Sequence, residues 1–136
     1  MTSRTRTKLP PVRLIDTETD RLTSLALSAS GPAARTGELL LEEIARASTV
    51  AADRLPADVV TMHSMVDFED AASGIRRTVQ LVYPAEADIS AGRISILTPV
   101  GAGLIGLSEG HIIDWPDLEG RERSLTILKV TQPRRS

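Results

Sequence analysis

The fold is decided by the stretch Thr78-Val79-Gln80-Leu81-Val82-Tyr83-Pro84, which is β-branched and alternating until a proline ends it. Such alternation is typical of a β-strand with one buried face. Further strands are predicted over residues 59–62, 66–69, 93–97, 110–115 and 123–130. The run between Pro99 and Leu107 is apolar but glycine-rich, which favours a short buried helix. Residues 55–133 are therefore predicted to form a compact, mostly antiparallel α+β domain.

Two amphipathic helices are predicted ahead of this domain, within residues 14–54. The first begins at Asp16 or Thr17, which suit a helix N-cap, and stops at Ser30-Gly31-Pro32, which cannot continue a helix. The second begins near Thr36, and its apolar positions have coiled-coil spacing: Leu40, Ile44, Ala47 and Ala51. A short turn between them predicts an antiparallel coiled-coil hairpin, which at ~1.5 Å per residue is only about 20 Å long.

The charge is small in total but uneven along the chain. The 136 residues carry 16 Lys and Arg against 18 Asp and Glu, a net charge of −2. Residues 1–13 are basic without any acid and are predicted to be a disordered lead-in, and residues 121–136 are also basic. The two ends either contact nucleic acid or are solvated tails, and the sequence leaves both interpretations open.

The composition excludes several classes of protein. There is no cysteine, so disulfides and thiolate chemistry are ruled out. The three aromatic residues, Phe68, Tyr83 and Trp115, are too few to line a pocket for a base, a sugar or a proline ring. No apolar run approaches the ~20 residues of a membrane span, and no secretory signal follows the basic start. We expect a cytoplasmic monomer without a membrane partner.

One glycine-rich motif suggests a nucleotide, since residues 101–106 match G-x-G-x-x-G. In dinucleotide-binding folds this motif is followed by a helix of about three turns and a parallel strand. Here Ser108-Glu109-Gly110 ends any helix within a turn of the last glycine. The motif is therefore predicted to be a small-residue helix that packs closely against the sheet.

The two histidines have no carboxylate partner at a useful spacing. His111 and Asp114 would leave opposite faces of a strand, and His63 and Asp67 would lie about 13 Å apart along one. The fold could bring His63 to another acid, but a neutral surface histidine is the favoured interpretation. The sequence also lacks the G-x-S-x-G motif of serine hydrolases. We therefore predict no catalytic residue, no metal site and no cofactor.

Three segments closely resemble, in order, those of the regulator of nucleoside diphosphate kinase family, relatives of the Gre-type transcript-cleavage elongation factors. They are Val60-Thr61-Met62-His63-Ser64, Thr78-Val79-Gln80-Leu81-Val82-Tyr83-Pro84 and Gly92-Arg93-Ile94-Ser95-Ile96-Leu97-Thr98-Pro99-Val100-Gly101. The likeness continues through residues 103–107 and 112–116 and covers about residues 57–131.

The resemblance implies an FKBP-like domain of the GreA/GreB C-terminal type, which docks on RNA polymerase beside the secondary channel while the hairpin projects toward that channel. In Gre-type factors the acidic tip of a long hairpin helps hold a catalytic magnesium. Here no Asp or Glu lies between Arg21 and Gly37, so the tip cannot supply the carboxylates that a hard cation needs. The tip residues of interest are Ser28, Ser30, Gly31, Pro32 and Arg35.

The resemblance also implies a polymerase contact that is carried by Leu97, Thr98, Pro99, Val100 and Gly101. Gre-type factors have an acid before the Ser-Pro of this segment, and Leu97 stands in its place here, which puts that charge contact in doubt. Leu97 could instead simply close the core.

The function implied is that of a non-catalytic transcription regulator, which binds RNA polymerase near its secondary channel and modulates or inhibits it without stimulating transcript cleavage. Two alternatives come from other classes. FKBP-like folds include peptidyl-prolyl isomerases, although their proline pockets are rich in aromatics. The chain could also be an interaction module that affects nucleoside diphosphate kinase.

Overall fold

The computed structural model describes residues 12–71, 73–116 and 122–133. The strands and α-helices in these ranges are β1 (Arg13–Ile15), α1 (Asp16–Ser28), α2 (Ala34–Arg46), β2 (Ser48–Val50), β3 (Met65–Asp70), β4 (Arg76–Val82), β5 (Arg93–Ser95), α3 (Pro99–Leu104), β6 (Ile112–Pro116) and β7 (Glu122–Thr131). None of the helices in the described part of the chain is long and apolar enough to cross a membrane.

The main sheet has five strands in the order β5-β4-β3-β7-β6. β3 is antiparallel to both β4 and β7, and β7 is antiparallel to β6, whereas β5 pairs with β4 in parallel. The predicted α+β class with a mostly antiparallel sheet is therefore confirmed. β5 and β6 are its edge strands, and on the outer side of β5 Arg93 forms one isolated antiparallel bridge with Asp88.

A single buried cluster connects the sheet, α3 and the two long helices. Alternation in β3 turns Val66 and Phe68 to the inside, and β4 does the same with Val79 and Leu81. The cluster also contains Ala102 and Leu104 from α3, Leu22 and Ala26 from α1, and Leu40 from α2. The helices therefore share their core with the sheet.

α1 and α2 pack against each other and have 13 residues each, which gives a length of about 20 Å, as the sequence predicted. A 3-10 turn over Gly31–Ala33 joins them. Gly37 lies where the two helices approach most closely, because a Cβ at this position would be 2.6 Å from the Ala26 carbonyl oxygen and 2.9 Å from the Ala29 Cβ. A glycine is needed at that crossing.

The ends of the helices differ from the prediction. The N-cap of α1 is Ile15 without a side-chain cap, and Asp16 and Thr17 lie inside the helix, because β1 runs directly into it. α2 begins at Ala34 and ends at Arg46, not at Ala51. After it, Ser48–Val50 pairs in parallel with β1, so strand pairing overrides the continued helical spacing of the apolar residues.

The first described residues, Val12 and Arg13, are the last two of the segment that the sequence assigned to a lead-in. Val12 is buried, and Arg13 begins β1. Gly106, at φ +80°, makes room for this segment, because a Cβ there would collide with Val12 Cγ1. The Arg13 amide donates to the Gly106 carbonyl at 2.9 Å. The rest of the lead-in, residues 1–11, and the end of the basic tail lie outside the described residues.

The predicted strand over 59–62 is not a strand. Val59 makes one isolated bridge to Ser108, and Met62 and His63 form a turn. Inside that turn the Thr61 amide donates to the Ser64 hydroxyl at 2.9 Å, and the Thr61 and Ser64 hydroxyls lie 2.8 Å apart. The apolar run is buried as a turn inside the core. In this turn, side-chain hydroxyls make hydrogen bonds in place of those that a neighbouring strand would make.

Candidate functional site

The segment Leu97–Gly101, here called the β5–α3 loop, is tightly organised by hydrogen bonds. The Leu97 amide donates to the Ser95 hydroxyl at 2.9 Å, and the Thr98 hydroxyl donates to the Ser95 carbonyl at 2.7 Å. Thr98 is also the N-cap of α3, since its hydroxyl oxygen accepts from the Gly101 amide at 3.1 Å. Pro99 occupies the first turn of α3, where no amide hydrogen is required. The loop is thus a fixed surface feature.

The side chains of this loop are divided between the core and the surface. Leu97, Thr98, Pro99 and Val100 are all half-buried, and Leu97 and Val100 pack against the central cluster. Leu97 can therefore both close the core and contact a partner, because part of its side chain packs on the core and part is exposed to solvent.

Gly101 brings α3 into direct contact with the sheet. A Cβ at this position would collide with the Ser95 carbonyl oxygen and would lie 3.1 Å from both Ile96 Cα and Leu81 Cδ1. Ala102, Gly103 and Leu104 are buried as well. The glycines of the G-x-G-x-x-G match serve close packing, as the sequence predicted. The Thr98 side chain and backbone already accept from the Gly101 and Ala102 amides, which a bound phosphate would need.

The hairpin tip, Ser28–Arg35, differs in character from the β5–α3 loop. Ser28, Ser30, Gly31, Pro32 and Arg35 are all exposed. Gly31 has φ +59° and no atom within 4 Å of the place where a Cβ would stand. Leu27, immediately before the tip, is 70% exposed. The tip presents small and apolar groups together with one cation, and no carboxylate.

A polar cluster near β4 was not predicted from the sequence. His63 adopts φ +71°, a left-handed conformation that is uncommon for residues other than glycine, although histidine adopts it more often than most. Its Nε2 lies 2.8 Å from Glu86 Oε1. Because an ionised carboxylate can only accept, His63 donates from Nε2. The structure brings His63 to an acid 23 positions away, which was the less favoured of the two interpretations of the sequence.

The electrostatics of this cluster extend to α1. The hydrogen bond from His63, supported by one from the Tyr83 amide at 3.2 Å, holds the pKa of Glu86 below its usual value. The rings of Tyr83 and His63 form a T-shaped pair. The Arg21 guanidinium lies 3.8 Å from the centroid of the Tyr83 ring. Burial, followed by the negative charge of Glu18, raises the pKa of Tyr83. The cluster therefore connects α1 with the sheet.

His111 has a structural role, because its Nδ1 accepts from the Ser108 amide at 3.0 Å. Across residues 12–71, 73–116 and 122–133, no three His, Asp or Glu side chains are grouped so that they could hold a metal ion. A shallow cleft of about 500 Å³ lies beside the cluster and is lined by His63, Gln80, Val82, Ala85, Glu86, Ala87, Asp88 and Arg93. Its lining residues contribute no nucleophile with a neighbouring base.

Comparison with known proteins identifies the relatives of this chain. Residues 55–132 match the family described as transcription elongation factor, GreA/GreB, C-term. The regulator of nucleoside diphosphate kinase of Escherichia coli (strain K12) is 32% identical over 121 residues, which cover 89% of each protein. The transcription elongation factor GreA of Desulfovibrio desulfuricans is 42% identical over 69 residues, which are 51% of this chain and 43% of that protein.

A solved structure agrees with these relatives. The prokaryotic transcription elongation factor GreA/GreB from Nitrosomonas europaea is 36% identical and superposes with a TM-score of 0.72, over 90% of this chain and 99% of that chain. The similarity thus includes the helices as well as the sheet. The chain belongs to the regulator of nucleoside diphosphate kinase family, which is related to the GreA and GreB elongation factors.

Proposed function

We propose that this protein is a non-catalytic transcription regulator, which binds RNA polymerase beside the secondary channel and modulates or inhibits transcription without stimulating transcript cleavage. The kinship with elongation factors supports polymerase as the partner. The β5–α3 loop supplies the contact surface, and the hairpin points toward the channel as a short coiled coil on an FKBP-like domain.

The hairpin carries the proposal that cleavage is not stimulated. Its helices have 13 residues each and reach only about 20 Å. The exposed tip carries the cationic side chain of Arg35. The sequence has no Asp or Glu between Arg21 and Gly37, so the tip has no carboxylate. A magnesium ion is held by oxygen ligands, normally including carboxylates. A cationic tip would repel the metal that cleavage requires.

The experiment is a pair of assays on the purified full chain. It is expected to bind RNA polymerase and to compete with a Gre-type factor for it, while leaving a backtracked elongation complex uncleaved above the polymerase's own rate. A Gre-type factor in the same reaction is the positive control. Robust cleavage would refute the non-cleaving role, and absence of binding would refute the regulator itself.

The β5–α3 loop is tested by a matched pair of variants. Leu97→Ala removes part of the contact surface and is expected to weaken polymerase binding about tenfold. Ile75→Ala changes a half-exposed side chain in the β3–β4 turn, at the opposite end of β4, and should leave binding unchanged. Because Leu97 also packs on the core, thermal unfolding must be measured for both variants. If Leu97→Ala and Ile75→Ala bind polymerase with equal affinity, the loop is not part of the interface.

The basic N-terminal segment offers a test of nucleic-acid contact. Deletion should stop after residue 11, because Val12 is buried and its carbonyl accepts from the Ser48 amide at 2.9 Å. If the segment contacts nucleic acid near the polymerase, the deletion weakens binding to a transcribing complex and flattens its salt dependence. An unchanged affinity at all salt concentrations would show a solvated tail.

The alternatives receive less support. A peptidyl-prolyl isomerase would need a proline pocket rich in aromatic side chains, whereas the sequence has three aromatic residues and Gly101 packs so closely on Ser95 that a Cβ would not fit between them. An effect on nucleoside diphosphate kinase is suggested by the name of the relatives alone. A pull-down that retains this kinase and not polymerase would favour that role.

A further inference from the structure

The direction in which the hairpin of α1 and α2 points depends on how its base is attached to the rest of the molecule. β1 runs into α1 without an intervening residue, and Ala47 alone separates α2 from β2. The two strands pair in parallel along their whole length, so whatever holds β1 also holds both helices. Residues 12–15, which are Val12 and β1, are here called the N-terminal strap.

The N-terminal strap lies between β2 and the segment that follows α3. On one side the Val12 carbonyl accepts from the Ser48 amide at 2.9 Å. On the other side the Arg13 amide donates to the Gly106 carbonyl, also at 2.9 Å. The Gly106 amide in turn donates to the Val60 carbonyl at 2.9 Å. Backbone hydrogen bonds therefore lead from the base of the hairpin through the strap to the turn before β3.

The apolar side chains of the strap are buried in two different places. Val12 and Leu14 belong to the central cluster. Ile15 packs with Leu55 and Val59 in a second, smaller cluster. These contacts join the strap to the body of the molecule, by which we mean the described residues from Leu55 onward.

Gly106 is the position at which the body comes closest to the strap. It has φ +80°, and a Cβ here would collide with Val12 Cγ1 and would lie 3.0 Å from the Arg13 carbonyl oxygen. Gly110, further along the same loop, has a similar φ of +87°, but no described atom lies within 4 Å of its Cβ position. The two glycines therefore share a backbone conformation and differ in their contact with the strap.

The hairpin also touches the body through side chains. Leu22 and Leu40 share the central cluster with Leu104, and Arg21 reaches the Tyr83 ring with a long, flexible side chain. Apolar contacts are non-directional, and helix crossing angles scatter by about 15–20° around their preferred values. A rotation of that size at the base would move the tip of a hairpin of about 20 Å by about 5–7 Å. Paired backbones permit one register, so the strap restricts the angle more than the side chains do.

We propose that the N-terminal strap sets the direction of the hairpin relative to the body, and that its detachment redirects the tip while both parts stay folded. The strap is attached when Val12 occupies the space that the missing side chain of Gly106 leaves open. This inference goes beyond the proposed function and is independent of it, because it concerns two parts of one chain.

The test is the distance between spin labels on two introduced cysteines, in a chain whose own sequence has none. Ser30→Cys labels the exposed tip, and Ile75→Cys labels the exposed β3–β4 turn. The otherwise unaltered chain should give one narrow distance distribution. Gly106→Ala should broaden this distribution or shift its maximum by about 5 Å, because the strap is displaced. Gly110→Ala carries similar backbone strain and should leave it unchanged.

Hydrogen exchange separates a detached strap from a loss of overall stability. The amides of Arg13 and Ser48 should exchange at least about tenfold faster in Gly106→Ala than in Gly110→Ala, while the amides of the central strand β3 should differ less than about threefold. If the β3 amides are accelerated as much as those of the strap, the strap does not detach by itself and the proposal is overturned.

Val12→Ser is a second variant, which removes the apolar contact of the strap without adding bulk at the glycine. It should change the label distance in the same sense as Gly106→Ala, and it decides the test if Gly106→Ala does not fold. The strap has no orienting role if both variants keep the narrow distribution, or if the unaltered chain already gives a broad one. A change in Gly110→Ala as large as that in Gly106→Ala would assign the effect to backbone strain and would also overturn the proposal.

Discussion

The β5–α3 loop and the hairpin tip are the two regions that the resemblance implicates in function, and they are built in opposite ways. In the loop, Thr98 and Ser95 engage nearly every polar group, and Gly101 touches the backbone of β5. In the tip, Gly31 has open space around it and Arg35 is exposed. A substitution in the loop is therefore expected to change the free energy of unfolding, whereas one in the tip should leave it nearly unchanged.

Substitution of one glycine in each region tests this difference most directly. Gly101→Ala adds a methyl group that collides with the Ser95 carbonyl, so α3 must shift away from the sheet. Overpacking of this kind costs typically 1–3 kcal/mol, and the gain in helix propensity of about 1 kcal/mol offsets only part of it. The obstacle is backbone that cannot rotate away, so we place the cost at the upper end of that range and expect the free energy of unfolding to fall by about 2 kcal/mol, measured by urea denaturation.

The counterpart in the tip is Gly31→Ala. Here the added methyl meets nothing, and only the left-handed φ of +59° opposes it, at a cost of about 1 kcal/mol. Reduced freedom of the unfolded chain returns part of that cost. A Gly31→Ala variant that is destabilised as much as Gly101→Ala would show that the tip is packed and that the contrast between the regions is wrong.

A second test of the hydrogen-bonded β5–α3 loop is the N-cap of α3. Thr98→Ala removes the hydroxyl that accepts from the Gly101 amide and donates to the Ser95 carbonyl. Loss of an N-cap costs typically ~1 kcal/mol, so we expect a decrease of about 1–2 kcal/mol in the free energy of unfolding. Thr98→Ser keeps the hydroxyl and should recover most of it. Equal stability of the two variants would contradict the capping role.

The sequence predicted β4, α3 and the character of the hairpin tip correctly, because each depends on residues that are close together in the chain. The alternation from Thr78 to Tyr83 predicted β4, because Val79 and Leu81 are buried on one face of that strand while Thr78 is exposed on the other. The run of small residues after Pro99 predicted α3, because only residues without bulk fit a helix lying directly on a sheet. The absence of acids at the hairpin tip was readable from composition alone.

What was missed depends on partners distant in the sequence. α2 ends at Arg46 because Ser48–Val50 finds β1, a pairing that no helical spacing reveals. His63 meets Glu86 because a turn at one end of the core lies beside the 3-10 turn after β4. Asp88 and Arg93 form an ion pair before β5, although their charges in the sequence resemble those of any solvated loop.

The link between the helices and the sheet is expected to have a smaller effect on stability than Gly101→Ala or Thr98→Ala. Arg21→Ala removes the guanidinium that lies over the Tyr83 ring, a contact worth ~0.5–1 kcal/mol at an exposed site. Arg35→Ala removes an equal charge from the tip and should leave the free energy of unfolding unchanged. Indistinguishable stabilities of the two variants would mean that the Tyr83 contact does not fasten α1.

The smallest effect concerns the exposed pair of His63 and Glu86. Since the pKa of Glu86 is lowered from 4.5 chiefly by the hydrogen bond from His63, the pair stabilises the folded state above the unfolded pKa of that carboxyl. That stabilisation is lost as the pH falls through the lowered folded pKa. His63→Asn tolerates the left-handed backbone and should raise the titration midpoint of Glu86 toward 4.5 in carboxyl NMR. Asp88 serves as the control in the same spectra, because Ser90 is the main cause of its lowered pKa. A Glu86 midpoint that stays in place, or an Asp88 midpoint that moves with it, would contradict the pairing.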